Sequence, residues 1–108
     1  MDEVDEVFKA LADPTRRSIL DALFERDGQT VQALCQRFPE MTRFGVMKHL
    51  TVLEAANLVA TKRVGRTKLH FLNPIPIGEI ADRWVSKYAQ PFTRAMVGFR
   101  QDLERGTS

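Results

Sequence analysis

Between Thr30 and Ala56 the chain carries two short amphipathic segments with only a few residues between them. In the first, Val31, Leu34, Cys35 and Phe38 share one helical face, Thr30 supplies a cap and Pro39 stops the run. In the second, Thr42 can cap a helix reaching about Ala56, with Val46, Leu50 and Leu53 as a narrow apolar stripe. Two short helices joined so tightly have little choice but to pack on each other, which is the helix-turn-helix arrangement. The second helix has an unusual outer side. Phe44, Lys48 and Thr51 point away from any core, so a Phe and a Lys share an exposed face.

The flanks complete a small mixed fold. Val4, Val7, Phe8 and Leu11 recur at helical spacing and predict a first short helix. Asp13-Pro14 reads as a cap followed by Pro at the first helical position, opening a second helix with Ile19, Leu20, Leu23 and Phe24, which ends near Asp27-Gly28. After residue 58 the period changes from helical to alternating. Leu58 to Val64 and Thr67 to Leu72 are strand-like, and Gly65-Arg66 between them suits a two-residue type II′ turn. Alternation puts Leu69 and Phe71 on one side and Lys68 and His70 on the other, predicting an apolar underside and a basic upper side. Beyond Asn73-Pro74-Ile75-Pro76 a long helical pattern runs from Ile77 through Trp84, Tyr88, Phe92, Met96 and Phe99 to Leu103, interrupted by Pro91. About 28 residues at about 1.5 Å each would reach about 40 Å, more than so small a body can cover. The uncovered apolar surface predicts a second copy of the chain as its partner.

Charge is distributed rather than abundant. With 108 residues the chain is expected to be one domain, and its net charge is only +2. Yet Asp2, Glu3, Asp5 and Glu6 crowd the start, while Thr61 to His70 holds Lys62, Arg63, Arg66 and Lys68 and no acid. A local basic patch of that kind suits a polyanion. The single cysteine, Cys35, excludes an intramolecular disulfide. There is no apolar leader and no long hydrophobic run, so residence in the cytoplasm without a membrane partner is the default expectation.

Three stretches in order resemble the ArsR family of winged helix-turn-helix repressors. ALADPTRRSILDAL, residues 10–23, is similar to the family's opening signature. KHLTVLEAANLV, residues 48–59, is similar to its recognition-helix signature, and GRTKLHFLN, residues 65–73, to its wing. The resemblance implies a mainly helical fold with a small β-hairpin, in the order α-α-α-α-β-β-α, dimerising through terminal helices at 1–12 and 76–104. The helix-turn-helix would span 30–56 and the wing 58–72. It implies a dimeric repressor, often of its own promoter, bound to double-stranded DNA at an imperfect inverted repeat. The sequence departs from the pattern at Thr42, Arg43 and Phe44, where many relatives have Ser-Gln-Pro, and at Met47, where Ser is usual. These changes are expected to alter operator preference and leave the fold intact. Asn57 replaces the usual Gly but still tolerates a left-handed helix end.

The physical reading assigns residues on that frame. A recognition helix enters the major groove by its N-terminal half, so its DNA side is Thr42, Arg43, Phe44, Met47, Lys48 and Thr51. Arg43 suits guanine O6 and N7, and Thr42 with the first-turn amides suits a phosphate. Two readings stand for Phe44: contact with a thymine methyl, or packing against the preceding helix. Lys62, Arg63, Arg66 and Lys68 are assigned to phosphate or minor-groove contact. His49 flanks the apolar stripe as a packing or backbone-orienting residue. Of Arg16 and Arg17, one is expected to pair with nearby acids and the other to reach a phosphate. The dimer seam is expected to use Val4, Val7, Phe8 and Leu11 together with Trp84, Tyr88, Phe92, Met96 and Phe99.

No metal or other cofactor is expected. Metal-sensing relatives place Cys pairs on the third helix, where this chain has Thr30 and Gln32, and Cys35 lies on the predicted core face. Zinc sites on the last helix use His beside Asp or Glu, and here Glu79 and Asp82 have no histidine near them in sequence. The effector, if one exists, is not legible. The rival reading is a winged-helix protein-interaction module without specific DNA binding, which the basic wing and Arg43 with Lys48 argue against. An enzyme would need a nucleophile–base pair, a phosphate-cradling glycine loop or a metal cluster, and none stands out in the sequence.

Overall fold

The structure, a computed structural model, describes residues 2–89. It divides into a unit of residues 1–76 and a unit from residue 77 onward. The first unit holds helices α1 (Glu3–Leu11), α2 (Pro14–Glu25), α3 (Val31–Arg37) and α4 (Arg43–Ala55), then strands β1 (Val59–Val64) and β2 (Thr67–Leu72). Helix α5 (Ile75–Ile80) opens at its end, with Pro76 in the first turn where a missing N–H costs nothing.

Each of the first four helices starts where a short polar side chain can hold an orphan amide. Asp2, Asp13, Thr30 and Thr42 are the caps, and the Asp13 carboxylate accepts from the amides of both Thr15 and Arg16. Helix α4 ends in a Schellman motif. The Asn57 amide donates to Glu54 O at 3.0 Å and the Leu58 amide to Leu53 O at 2.9 Å, with Asn57 at φ 61°. The apolar contact that accompanies this motif is supplied by Leu53 and Leu58, both fully buried.

Helix α1 packs on α2 and α4, α3 on α2 and α4, and the strands on α2, α3 and α4. The stripes expected from periodicity meet here: Ile19, Leu23, Leu34, Val46, Leu50, Leu53 and Leu58 are almost completely enclosed. Each such aliphatic side chain contributes about 1.5–3 kcal/mol over its exposed state. Phe24, read with the apolar residues of α2, instead stands in solvent, and Cys35 is only half-buried.

The hairpin pairs Val59 with Leu72 through to Val64 with Thr67. Gly65 has φ 63° and Arg66 is not in the positive-φ region, the combination a type II′ turn requires. The pleat, however, is turned opposite to expectation. His70 is 1% exposed and Val59 is buried beside it, so the side carrying Lys68 and His70 faces the helices. The cause is a third backbone segment. Gln29 bridges to His70, whose amide donates to Gln29 O at 2.8 Å and whose Nδ1–H donates to the same oxygen at 2.9 Å. A histidine satisfied this way can be buried where an unpaired one could not. Leu69 and Phe71, on the other side, are half-buried, with Phe71 against Gly28. Gly28 has φ 75°, and a Cβ there would stand 3.1 Å from the Phe71 ring.

In the second unit α5 passes at Ala81 into a π-wound stretch, Ala81–Ala89. A single helix interrupted only at Pro91 was the expectation, and the change of winding comes earlier. Wider π turns shift the 3.6-residue stripe, and Val85 and Tyr88 both lie exposed. Arg83 covers the Trp84 ring at 4.7 Å from its centroid. The expectations for Pro91, Phe92, Met96, Phe99 and Leu103 lie outside the described residues.

Candidate nucleic-acid interface

Helix α4 has two chemically distinct sides. Val46, Leu50 and Leu53 lock it to the body, which leaves Thr42, Arg43, Phe44, Met47, Lys48 and Thr51 outward. Phe44 is 77% exposed and Met47 48%, so packing of Phe44 against α3 is not what its position shows. Thr42 Oγ1 accepts from the Gly45 amide at 3.0 Å. A Cβ on residue 45 would crowd that oxygen at 3.2 Å, so glycine keeps the cap undisturbed. The Thr51 hydroxyl donates back to Met47 O at 3.0 Å. Among the described residues no acid pairs with Arg43 or Lys48.

The wing carries cations on both of its faces and at its tip. Cross-strand pairing puts Arg63 beside Lys68 and Lys62 beside Leu69, so the basic residues do not share one upper side. Like charges directly opposite destabilise a strand pair. Glu54 of α4 offsets one of them, with Lys68 Nζ 3.3 Å from its carboxylate. Lys68 is therefore partly a strut between wing and recognition helix. Among the described residues Lys62, Arg63 and Arg66 have no acidic partner.

Of the two arginines assigned to acids or phosphate, Arg16 does meet an acid, Asp13, and both hold the end of α1. Arg16 donates through Nε to Ala10 O at 2.8 Å and through its terminal nitrogen to Lys9 O at 2.9 Å. Arg17 donates to Leu11 O at 2.7 Å. These carbonyls belong to the last turn of a helix, where cations are favoured by the dipole. Arg16 also stands 3.8 Å from Asp13 and 3.5 Å from His49 Nδ1. A guanidinium can only donate, so in this contact Nδ1 is the accepting atom. His49 thus orients α4 against the α1–α2 corner. The Arg16 amide bond, opposed by desolvation and aided by the Thr15 amide and the Arg16 charge, holds the Asp13 carboxyl below its ordinary range.

Glu54, Gln29 and the carbonyl-capping role of Arg16 are absent from the sequence reading. Glu54 and Lys68 are 14 positions apart and Gln29 and His70 are 41 apart, so no local spacing signals either pair. Of the residues assigned to a dimer seam, Val7 is enclosed within its own chain, Val4, Leu11 and Trp84 are half-buried, and Phe8 and Tyr88 are exposed. Among the described residues no three His, Cys, Asp or Glu side chains lie close enough to share a metal ion. No described helix is long and apolar enough to cross a membrane.

Known proteins share this arrangement. The helix-turn-helix domain family matches residues 11–62. The chain is 41% identical over 86 residues to an uncharacterized HTH-type transcriptional regulator, YuzN, of Bacillus subtilis (strain 168), covering 75% of this chain and 94% of the relative. It is 34% identical over 70 residues to the transcriptional repressor SdpR of the same organism, covering 65% of this chain and 76% of the relative. An ArsR-like transcriptional regulator from Rhodococcus sp. RHA1 superposes with a TM-score of 0.74 at 30% identity, covering 95% of this chain and 92% of that one. A capped helix with a solvent-facing basic and apolar side, a cationic hairpin beside it and these relatives together place the chain in the ArsR family of winged helix-turn-helix transcriptional regulators, which bind DNA and are not enzymes.

Proposed function

We propose that this regulator acts as a homodimeric repressor, its own promoter among its targets. The outward side of α4 reads base edges in the major groove while the wing grips the backbone. The observation that carries this reading is the pairing of unneutralised Arg43 and Lys48 with an exposed Phe44 and Met47 on one helix face. An exposed apolar and cationic face matches the mixed chemistry of a duplex groove and its phosphates. Arg43 takes a guanine edge, Thr42 and the first-turn amides take a phosphate, and Lys62, Arg63 and Arg66 neutralise the flanking backbone.

Repression is supported by similarity to SdpR, described as a transcriptional repressor. Dimerisation is supported by apolar side chains exposed in the second unit, Val85 at 48% and Tyr88 at 59%. One recognition helix per chain then implies an inverted repeat, with half-site centres about 34 Å apart or a multiple of that. Gel-shift titration on the chain's own upstream DNA, with the mass of the complex from light scattering, tests this. Two chains per duplex are expected. One chain on an isolated half-site, or equal affinity for every duplex, would refute it.

A further inference from the structure

The outer side of α4 contains more apolar surface than a reader of hydrogen-bond patterns needs. Phe44 and Met47 are one turn apart on the same face and both are exposed. Thr51, the next residue on that face, has its hydroxyl turned back onto Met47 O. The Thr42 oxygen is likewise engaged by the Gly45 amide. Direct polar readout from this face therefore rests on Arg43 and Lys48, with an apolar strip between and beyond them.

Only one base-edge group in the major groove is apolar: the methyl on C5 of thymine. Phe44 and Met47 are separated by about 4.5 Å along the helix axis and successive bases by about 3.4 Å, so a helix lying along the groove would bring the two side chains to neighbouring base pairs. We infer that each half-site presents C5-methyl groups on adjacent base pairs to Phe44 and Met47, next to the guanine taken by Arg43. In unmodified DNA those methyls belong to thymine. This rests on the DNA-reading role proposed above and adds the base chemistry that the role selects.

The test replaces thymine by deoxyuracil, position by position, in the duplex that the purified full chain selects from random DNA. Loss of one contacted methyl should weaken binding about fourfold, the expected effect of exposing one such group. Phe44→Ala and Met47→Ala should each abolish the thymine–deoxyuracil difference at one position and keep it at the other. Both residues are exposed, so the variants keep the core intact. Full affinity for a duplex with deoxyuracil throughout would overturn the inference and leave the regulator reading standing, as would a selected motif without thymine. Retention of the whole difference in both variants would also overturn it, by assigning the methyl effect to DNA shape. A parallel selection from cytosine-methylated DNA separates the two sources of the methyl; enrichment there alone would overturn thymine. Failure to enrich any motif would sink both readings together.

Discussion

At the scale of single residues the chain separates holding from reading. Asp13 holds: it caps α2 and accepts from two amides, and its carboxyl is kept below the ordinary range chiefly by the Arg16 amide. A carboxylate with a lowered native pKa stabilises the fold fully above the unfolded value of about 3.9, and that stability is lost as pH falls through the native value. Asparagine also caps helices but carries no charge. Asp13→Asn should therefore be less stable than the parent near neutral pH, and the gap should close on acidification, as urea unfolding at several pH values would report. Arg43 reads. Arg43→Ala should cost about 1–3 kcal/mol on the best sequence and much less on random DNA. Competition titration between the two duplexes measures this, and equal losses would remove Arg43 from base readout.

At the scale of elements, α4 and the wing are braced to each other and to the body by polar side chains. Lys62, Arg63 and Arg66 are expected to act on phosphates, so each Ala variant should weaken binding to all duplexes. Each should also lower the slope of log affinity against log salt by about 0.9. Lys68 differs because Glu54 occupies it. Glu54→Gln should release that cation and tighten binding on every duplex, whereas unchanged binding would mean the pair is only structural. Arg16 braces the other side of the unit. Arg16→Ala strips the Ala10 carbonyl of the guanidinium and leaves Lys9 O with only the Ala12 amide, and should destabilise the fold by about 1–3 kcal/mol in urea unfolding.

These elements also mark what local sequence can convey. The caps at Asp13, Thr30 and Thr42, the Val46–Leu50–Leu53 stripe, the Gly65 turn and the left-handed Asn57 all depend on neighbours within a few residues, and all stand where spacing puts them. The orientation of the hairpin is not legible locally because it depends on Gln29, far away in sequence, which makes burial of His70 possible. Alternation specifies that Lys68 and His70 share a side but not which side faces the helices. The outward placement of Phe44 was one of two open readings; only the packed body decides it.

At the scale of the whole molecule the claim is that two copies present paired recognition helices and wings to one duplex. Apolar side chains exposed in a lone chain are its motive, and they make a direct prediction. Tyr88→Lys should shift the solution mass toward a single chain and weaken operator binding together. A variant that stayed dimeric would exclude its residue from the seam. The most direct measurement is selection of bound sequences from random DNA with the purified protein. The account predicts a two-fold symmetric motif with half-site centres about 10–10.5 base pairs apart, or a multiple of that. A motif without symmetry, occupied by one chain, would contradict it.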